Sequence, residues 1–123
     1  MIKFVKSTTE NKIFLDYIKS INGILELTHR EMEVLSELFK QDYGMSDSIH
    51  PKNIADKNVR KRIMKDYNIS KENLSRFISK FKRKGILISE FDDLYVNPRL
   101  MPQMLDDQII VDIIIKLKEK NEE

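Results

Sequence analysis

The chain of 123 residues contains no cysteine. A disulfide framework and a thiolate metal site are both excluded by that absence. It has only three glycines and three prolines, and no Pro/Gly/Ser-rich linker divides it. Residues 1–123 are therefore expected to form a single domain. Long hydrophobic runs are also missing. The longest, Ile109–Val111 and Ile113–Ile115, are separated by Asp112 and fall far short of a membrane span. The opening Met-Ile-Lys-Phe-Val-Lys is too short and too charged for the hydrophobic region of a signal peptide. These absences set the expectation of a cytoplasmic protein that does not engage a membrane.

Signatures of catalysis are absent as well. The sequence has no P-loop, no paired-glycine nucleotide loop and no nucleophile elbow. Its two histidines, His29 and His50, stand apart and lack the spaced partners of a zinc site. The acidic pairs Asp92-Asp93 and Asp106-Asp107 suit a turn and a helix N-terminus better than a metal site. No enzyme activity, metal or cofactor is expected.

Charge is plentiful and unevenly placed. Residues 57–84 hold eleven of the 22 Lys and Arg residues but only two acids, Asp66 and Glu72, which gives the segment +9. The remaining residues carry 11 basic and 18 acidic side chains, or −7. Such a concentration is the electrostatic footprint of a surface that meets phosphates.

Hydrophobic periodicity places this charge on a fold. Ile13, Phe14, Tyr17, Ile18 and Ile21 form one stripe of a first helix over about 10–21, with Asn22-Gly23 as its stop. Residues 2–5 read as a short strand or an unstructured lead-in. Thr28-His29-Arg30-Glu31 is a capping box that opens a second helix, whose inward face is Met32, Leu35, Leu38 and Phe39 and whose end is Tyr43-Gly44. Residues 45–56 read as a loop, with room for one helical turn after Pro51. A third helix is expected over about 57–66, buried through Val59, Ile63 and Met64. Tyr67-Asn68-Ile69-Ser70 is a turn, with Ile69 as its anchor and Ser70 as the N-cap of a fourth helix, 71–84. That helix has the cleanest amphipathic pattern, Leu74, Phe77, Ile78 and Phe81, with Gly85 just past its end.

Two β-rich runs, Ile86–Ser89 and Leu94–Val96, flank the polar turn Glu90-Phe91-Asp92-Asp93 and predict a hairpin over about 86–97 that ends at Pro98. Residues 106–120 begin with acids and end with lysines, as a helix macrodipole favours. Their β-branched content also permits a strand; a helix is the preferred reading. The fold class is thus mainly α with a small β-hairpin wing: a winged helix-turn-helix of about five helices.

In this arrangement the second helix of the helix-turn-helix (about 57–84) enters the major groove of DNA. Arg76 can fork onto guanine, Asn73 can pair with adenine, and Ser75 and Ser79 can donate or accept. Arg60, Lys61, Arg62, Lys71, Lys80, Lys82, Arg83 and Lys84 suit phosphates. The wing is acidic at its tip and would be repelled by phosphate, so groove contact is expected from the helix alone. Phe91 either stands exposed at the tip, where a protein partner could use it, or packs back on the sheet. A charge run can equally be a solvated face, and this weighs against the DNA reading.

The stretch Val59–Ile88 resembles the winged helix of MarR-type regulators and of small plasmid or phage replication proteins. Tyr95-Val96-Asn97-Pro98-Arg99-Leu100 is similar to the ending of RepL-like replication proteins. Together these segments span about a third of the chain. Leu27–Leu35 also resembles the opening of LuxR-type domains, but that family lacks a wing, so the likeness is a shared capped helix. The main resemblance implies a phage or plasmid origin, a double-stranded DNA ligand in transcription regulation or DNA replication, and a dimer. It assigns no base contact to any residue. The competing expectation is a winged-helix module, in protein interaction or in a virion, that does not read DNA. The apolar segment Ile109–Leu117 is expected to join two copies into a homodimer.

Overall fold

The computed structural model describes residues 2–44 and 53–118. Among these, four helices and two antiparallel hairpins follow in the order α1 (Ile13–Leu25), α2 (His29–Gly44), α3 (Lys57–Tyr67), α4 (Lys71–Arg83), β1 (Leu87–Glu90), β2 (Asp93–Val96), β3 (Met104–Leu105) and β4 (Gln108–Ile109). The protein is mainly helical, with a small hairpin after its last helix. Residues 2–9 carry no regular structure and are exposed.

The capping box forms as its spacing requires. The Thr28 hydroxyl accepts from the Glu31 amide at 3.2 Å, and Glu31 accepts from the Thr28 amide at 2.8 Å. Ser70 caps α4 through the Asn73 amide at 3.2 Å. Asp56 caps α3 by accepting from the Val59 amide at 2.9 Å.

The first helix departs from its expected bounds. It runs through Asn22-Gly23 to Leu25, and Glu26, not the glycine, takes the left-handed conformation at φ 56°. Asn22 still directs the exit. Its side chain accepts from the Leu27 amide at 2.8 Å and donates to the Leu27 carbonyl at 3.0 Å. Continuing the helix by one turn seats Leu25 in the core, which outweighs the weak helix propensity of Gly23.

One core unites the four helices and the first hairpin. Phe14 and Ile18 come from α1, Leu35 and Phe39 from α2, Ile63 from α3, Ile78 and Phe81 from α4, and Leu87, Leu94 and Val96 from the hairpin. Ile69 and Met64 are half-buried against it. Phe39 and Phe81 are fully enclosed, and truncating either to alanine would cost about 3–5 kcal/mol.

The hairpin pairs Leu87 with Val96 and Glu90 with Asp93, which leaves a two-residue loop, Phe91-Asp92. Both loop residues have positive φ, 50° and 68°, the mark of a type I′ turn. The outer edge of β2 is occupied. Leu94 accepts from the Ile54 amide at 2.9 Å, and the Val96 amide donates to Asp42 at 2.8 Å. Gly85, at φ 74°, turns the chain from α4 into β1. Asn97 fastens that junction, donating from Nδ2 to the Gly85 carbonyl at 2.9 Å and from its amide to the Ile86 carbonyl at 2.9 Å.

The tail contradicts the expected helix over about 106–120. Asp106 and Asp107 both have positive φ, 52° and 59°, and form the loop of the hairpin β3–β4 rather than a helix N-terminus. Residues 110–118 then have no regular hydrogen-bonded structure. A helix cannot pass through two left-handed residues, and the isoleucines that follow favour extended backbone. The count of helices among the described residues is accordingly four rather than five. Most of the loop expected over 45–56, including His50 and Pro51, lies outside the described residues.

Candidate nucleic-acid interface

Helix α4 buries Leu74, Ile78 and Phe81, and Phe77 is half-buried. At 100° per residue the opposite face must carry Glu72, Arg76, Ser79 and Arg83. All four are exposed, as are Asn73 beside them and Lys71 and Lys82 on the flanks. Ser75 is half-buried. The base-reading candidates Asn73, Arg76 and Ser79 therefore lie together on the outward side of one rigid helix, and Ser75 sits at its margin. Lys61 and Arg62 are exposed on α3.

The eight phosphate candidates divide into two groups. The side chains of Lys61, Arg62, Lys71, Lys82 and Arg83 form no hydrogen bond or ion pair among the described residues. The other three are held by the fold. Arg60 donates from Nε to the Ala55 carbonyl at 2.7 Å, bracing the start of α3. Lys84 donates to the Leu25 carbonyl at 2.6 Å, closing the C-terminus of α1. Lys80 forms an ion pair with Glu31 at 2.9 Å.

The Glu31–Lys80 pair links the first turn of α2 to α4. Glu31 is almost fully enclosed. Burial raises its pKa, but hydrogen bonds from Thr28 and the Lys80 ammonium outweigh burial and hold the carboxyl below its ordinary value of 4.5. The pair is therefore a structural brace, and it withholds the Lys80 charge from the helix surface. Nothing in the spacing of α4 signals this, because Glu31 lies 49 positions away.

Three further cations belong to the same region. Lys57 and Lys65 are exposed on α3. Arg30 donates from Nη1 to the Tyr67 carbonyl at 3.1 Å, at the turn between α3 and α4. Lys57 and Lys65 were legible as members of the basic segment. Arg30 was not, since it reaches the turn from a different helix. At the same turn, burial and a 2.9 Å hydrogen bond to Glu37 raise the Tyr67 pKa, so the phenol stays protonated as a donor.

At the hairpin tip Glu90, Phe91 and Asp92 are exposed and Asp93 is half-buried. Phe91 is 97% exposed, which decides between the two placements open to it. His29 is exposed and lies 3.6 Å from Glu33. No helix among the described residues is long and apolar enough to cross a membrane. Comparison of the chain with protein-family models, curated proteins and solved structures returns no match.

Proposed function

We propose that this protein is a winged helix-turn-helix that binds double-stranded DNA in sequence-dependent fashion through α4, as a transcription regulator or replication initiator of the phage or plasmid type. The observation that carries the reading is the exposed stripe Arg76, Ser79 and Arg83, with Asn73 beside it, on a helix whose other face is locked into the core. A recognition helix must be both immobile and uncovered, and its base-reading residues belong in its first turns. Arg76 then forks onto a guanine edge, while Lys61, Arg62, Lys71, Lys82 and Arg83 meet phosphates. The acidic hairpin tip stays off the duplex. The role is one of binding, with no reaction catalysed, and two copies joined through Ile109–Leu117 would present two such helices.

The test is duplex binding measured by fluorescence anisotropy at low and moderate salt. Affinity should fall steeply with salt, since each neutralised phosphate releases counterions. Absent binding, or binding indifferent to salt, ends this reading.

A second reading rests on the hairpin tip. An aromatic ring that is almost wholly solvated, among Glu90, Asp92 and Asp93, fits a contact with a basic, apolar protein surface better than a duplex. In that case Phe91→Ala abolishes capture of one stoichiometric protein partner and leaves DNA binding untouched.

A further inference from the structure

Residues 109–118 have a period of two. The odd positions Ile109, Val111, Ile113, Ile115 and Leu117 are all apolar, while the even positions hold the charged Asp112, Lys116 and Lys118 together with Ile110 and Ile114. Such alternation marks a strand with one buried face. Among the described residues that face is covered only at its start. Val111 packs against the core and Ile109 is half-buried. Ile113 is 52% exposed, Ile115 92% and Leu117 99%. No hydrogen bond among the described residues uses the backbone of 110–118. An apolar face beside unpaired N–H and C=O groups is a template for another strand.

The geometry points to a second copy of this chain as that strand, paired antiparallel about a two-fold axis at Ile114. In an isologous pairing each residue faces a partner that faces it in return. An axis at Ile114 sets Asp112 opposite Lys116 on both sides of the axis, and Ile114 opposite itself. On the other face Ile113 meets Ile115, and Val111 meets Leu117. The odd face is then matched in apolar surface, and the even face gains two Asp112–Lys116 pairs around Ile114, with Lys118 opposite Ile110 at its ends. Moving the axis to Ile113 sets Lys116 opposite Ile110 and leaves no charge pair; moving it to Ile115 pairs Asp112 with Lys118 but sets Lys116 opposite Ile114 and leaves Val111 without an apolar partner. Axes between residues bring apolar positions of one strand to the polar face of the other. In the favoured register the overhanging Ile115 and Leu117 of each copy lie beside Ile113 and Val111 of the other, the part of the tail nearest the protein body. The inference rests on the proposed dimer through this segment and is independent of DNA binding.

Sedimentation of the full chain tests it. The wild type should dimerise reversibly. Asp112→Lys sets two lysines against each other at both symmetric positions and should raise the dimer Kd about tenfold; Lys116→Asp should do the same with carboxylates. The double variant Asp112→Lys with Lys116→Asp restores opposite charges and should return the Kd to within about threefold of wild type. In a chain without cysteine, Ile114→Cys supplies a single thiol that should join to its own copy on mild oxidation. All three positions are exposed, so an unchanged circular dichroism spectrum is expected throughout. A chain that stays monomeric at high concentration overturns both this pairing and the proposed dimer. A dimer that ignores the single reversals, or that the double reversal fails to restore, overturns this pairing and leaves the dimer standing.

Discussion

Lys80 and Arg76 are four residues apart on one helix and do opposite work. Lys80 neutralises an enclosed carboxylate, whereas Arg76 is exposed and its side chain forms no hydrogen bond or ion pair among the described residues. Lys80→Ala should lower the unfolding free energy by about 1–3 kcal/mol, because Glu31 loses its charged partner where water cannot replace it. The salt dependence of duplex binding should not change. The loss also has a pH signature. Glu31 has a depressed pKa in the folded state, so its stabilisation is complete above the ordinary value of 4.5 and fades as pH falls through the folded value. The gap between wild type and Lys80→Ala should therefore be widest above about pH 5 and close in acid, as urea unfolding across pH would show. Asp42 works in the other direction: burial raises its pKa against the pull of the Val96 amide, so its protonation favours the fold as acid is added. Arg76→Ala should leave stability within about 0.5 kcal/mol of wild type and reduce discrimination between duplex sequences by about 1–3 kcal/mol. A stability loss in Arg76→Ala, or a weaker salt slope in Lys80→Ala, would exchange the two roles.

At the level of elements, the two hairpins share one loop design that the sequence hides. Phe91-Asp92 and Asp106-Asp107 each place two non-glycine residues at positive φ. Glycine and asparagine would be the expected occupants, so in the sequence the second turn resembles the acidic start of a helix. Replacing Phe91-Asp92 by Asn-Gly should raise stability by about 1 kcal/mol, since an L-residue in the left-handed region carries about that strain. The urea midpoint should rise with the slope unchanged; a lower midpoint would show that the Phe91 ring contributes to the fold. The helices were legible for a complementary reason. In α2 and α4 the apolar period, a capping side chain and, for α4, a closing glycine all agree, so tertiary forces had nothing to overrule. In the tail the signals conflicted. Acids before lysines suited a helix, while the unbroken apolar set at odd positions from 109 to 117 suited a strand. The strand signal was the more physical one, because β-branched side chains lose rotamer freedom in a helix. The capture of Lys84 by Leu25 and of Lys80 by Glu31 was illegible in principle, since each joins residues that only the packed core brings together.

Across the whole molecule, +9 on residues 57–84 is set against −7 elsewhere, and the fold reduces the cations on offer. Removing Arg60, Lys80 and Lys84 from the eight phosphate candidates leaves five whose side chains form no hydrogen bond or ion pair among the described residues. If all five meet phosphates, the slope of log K against log salt should be roughly −4.5 for one copy. A dimer that engages two half-sites about one helical turn apart would double this to roughly −9. Ile115→Asp gives a direct comparison, because its side chain is 92% exposed and the change disrupts the tail without touching α4. On a duplex carrying two half-sites the variant should bind more weakly and with about half the wild-type slope. On a duplex carrying one half-site, too short for a second copy, the two proteins should be indistinguishable. Equal slopes on the longer duplex would mean that the tail does not couple the two binding events. A reduced slope on the short duplex would place part of the tail itself against phosphate, where its lysines, Lys116 and Lys118, could contribute.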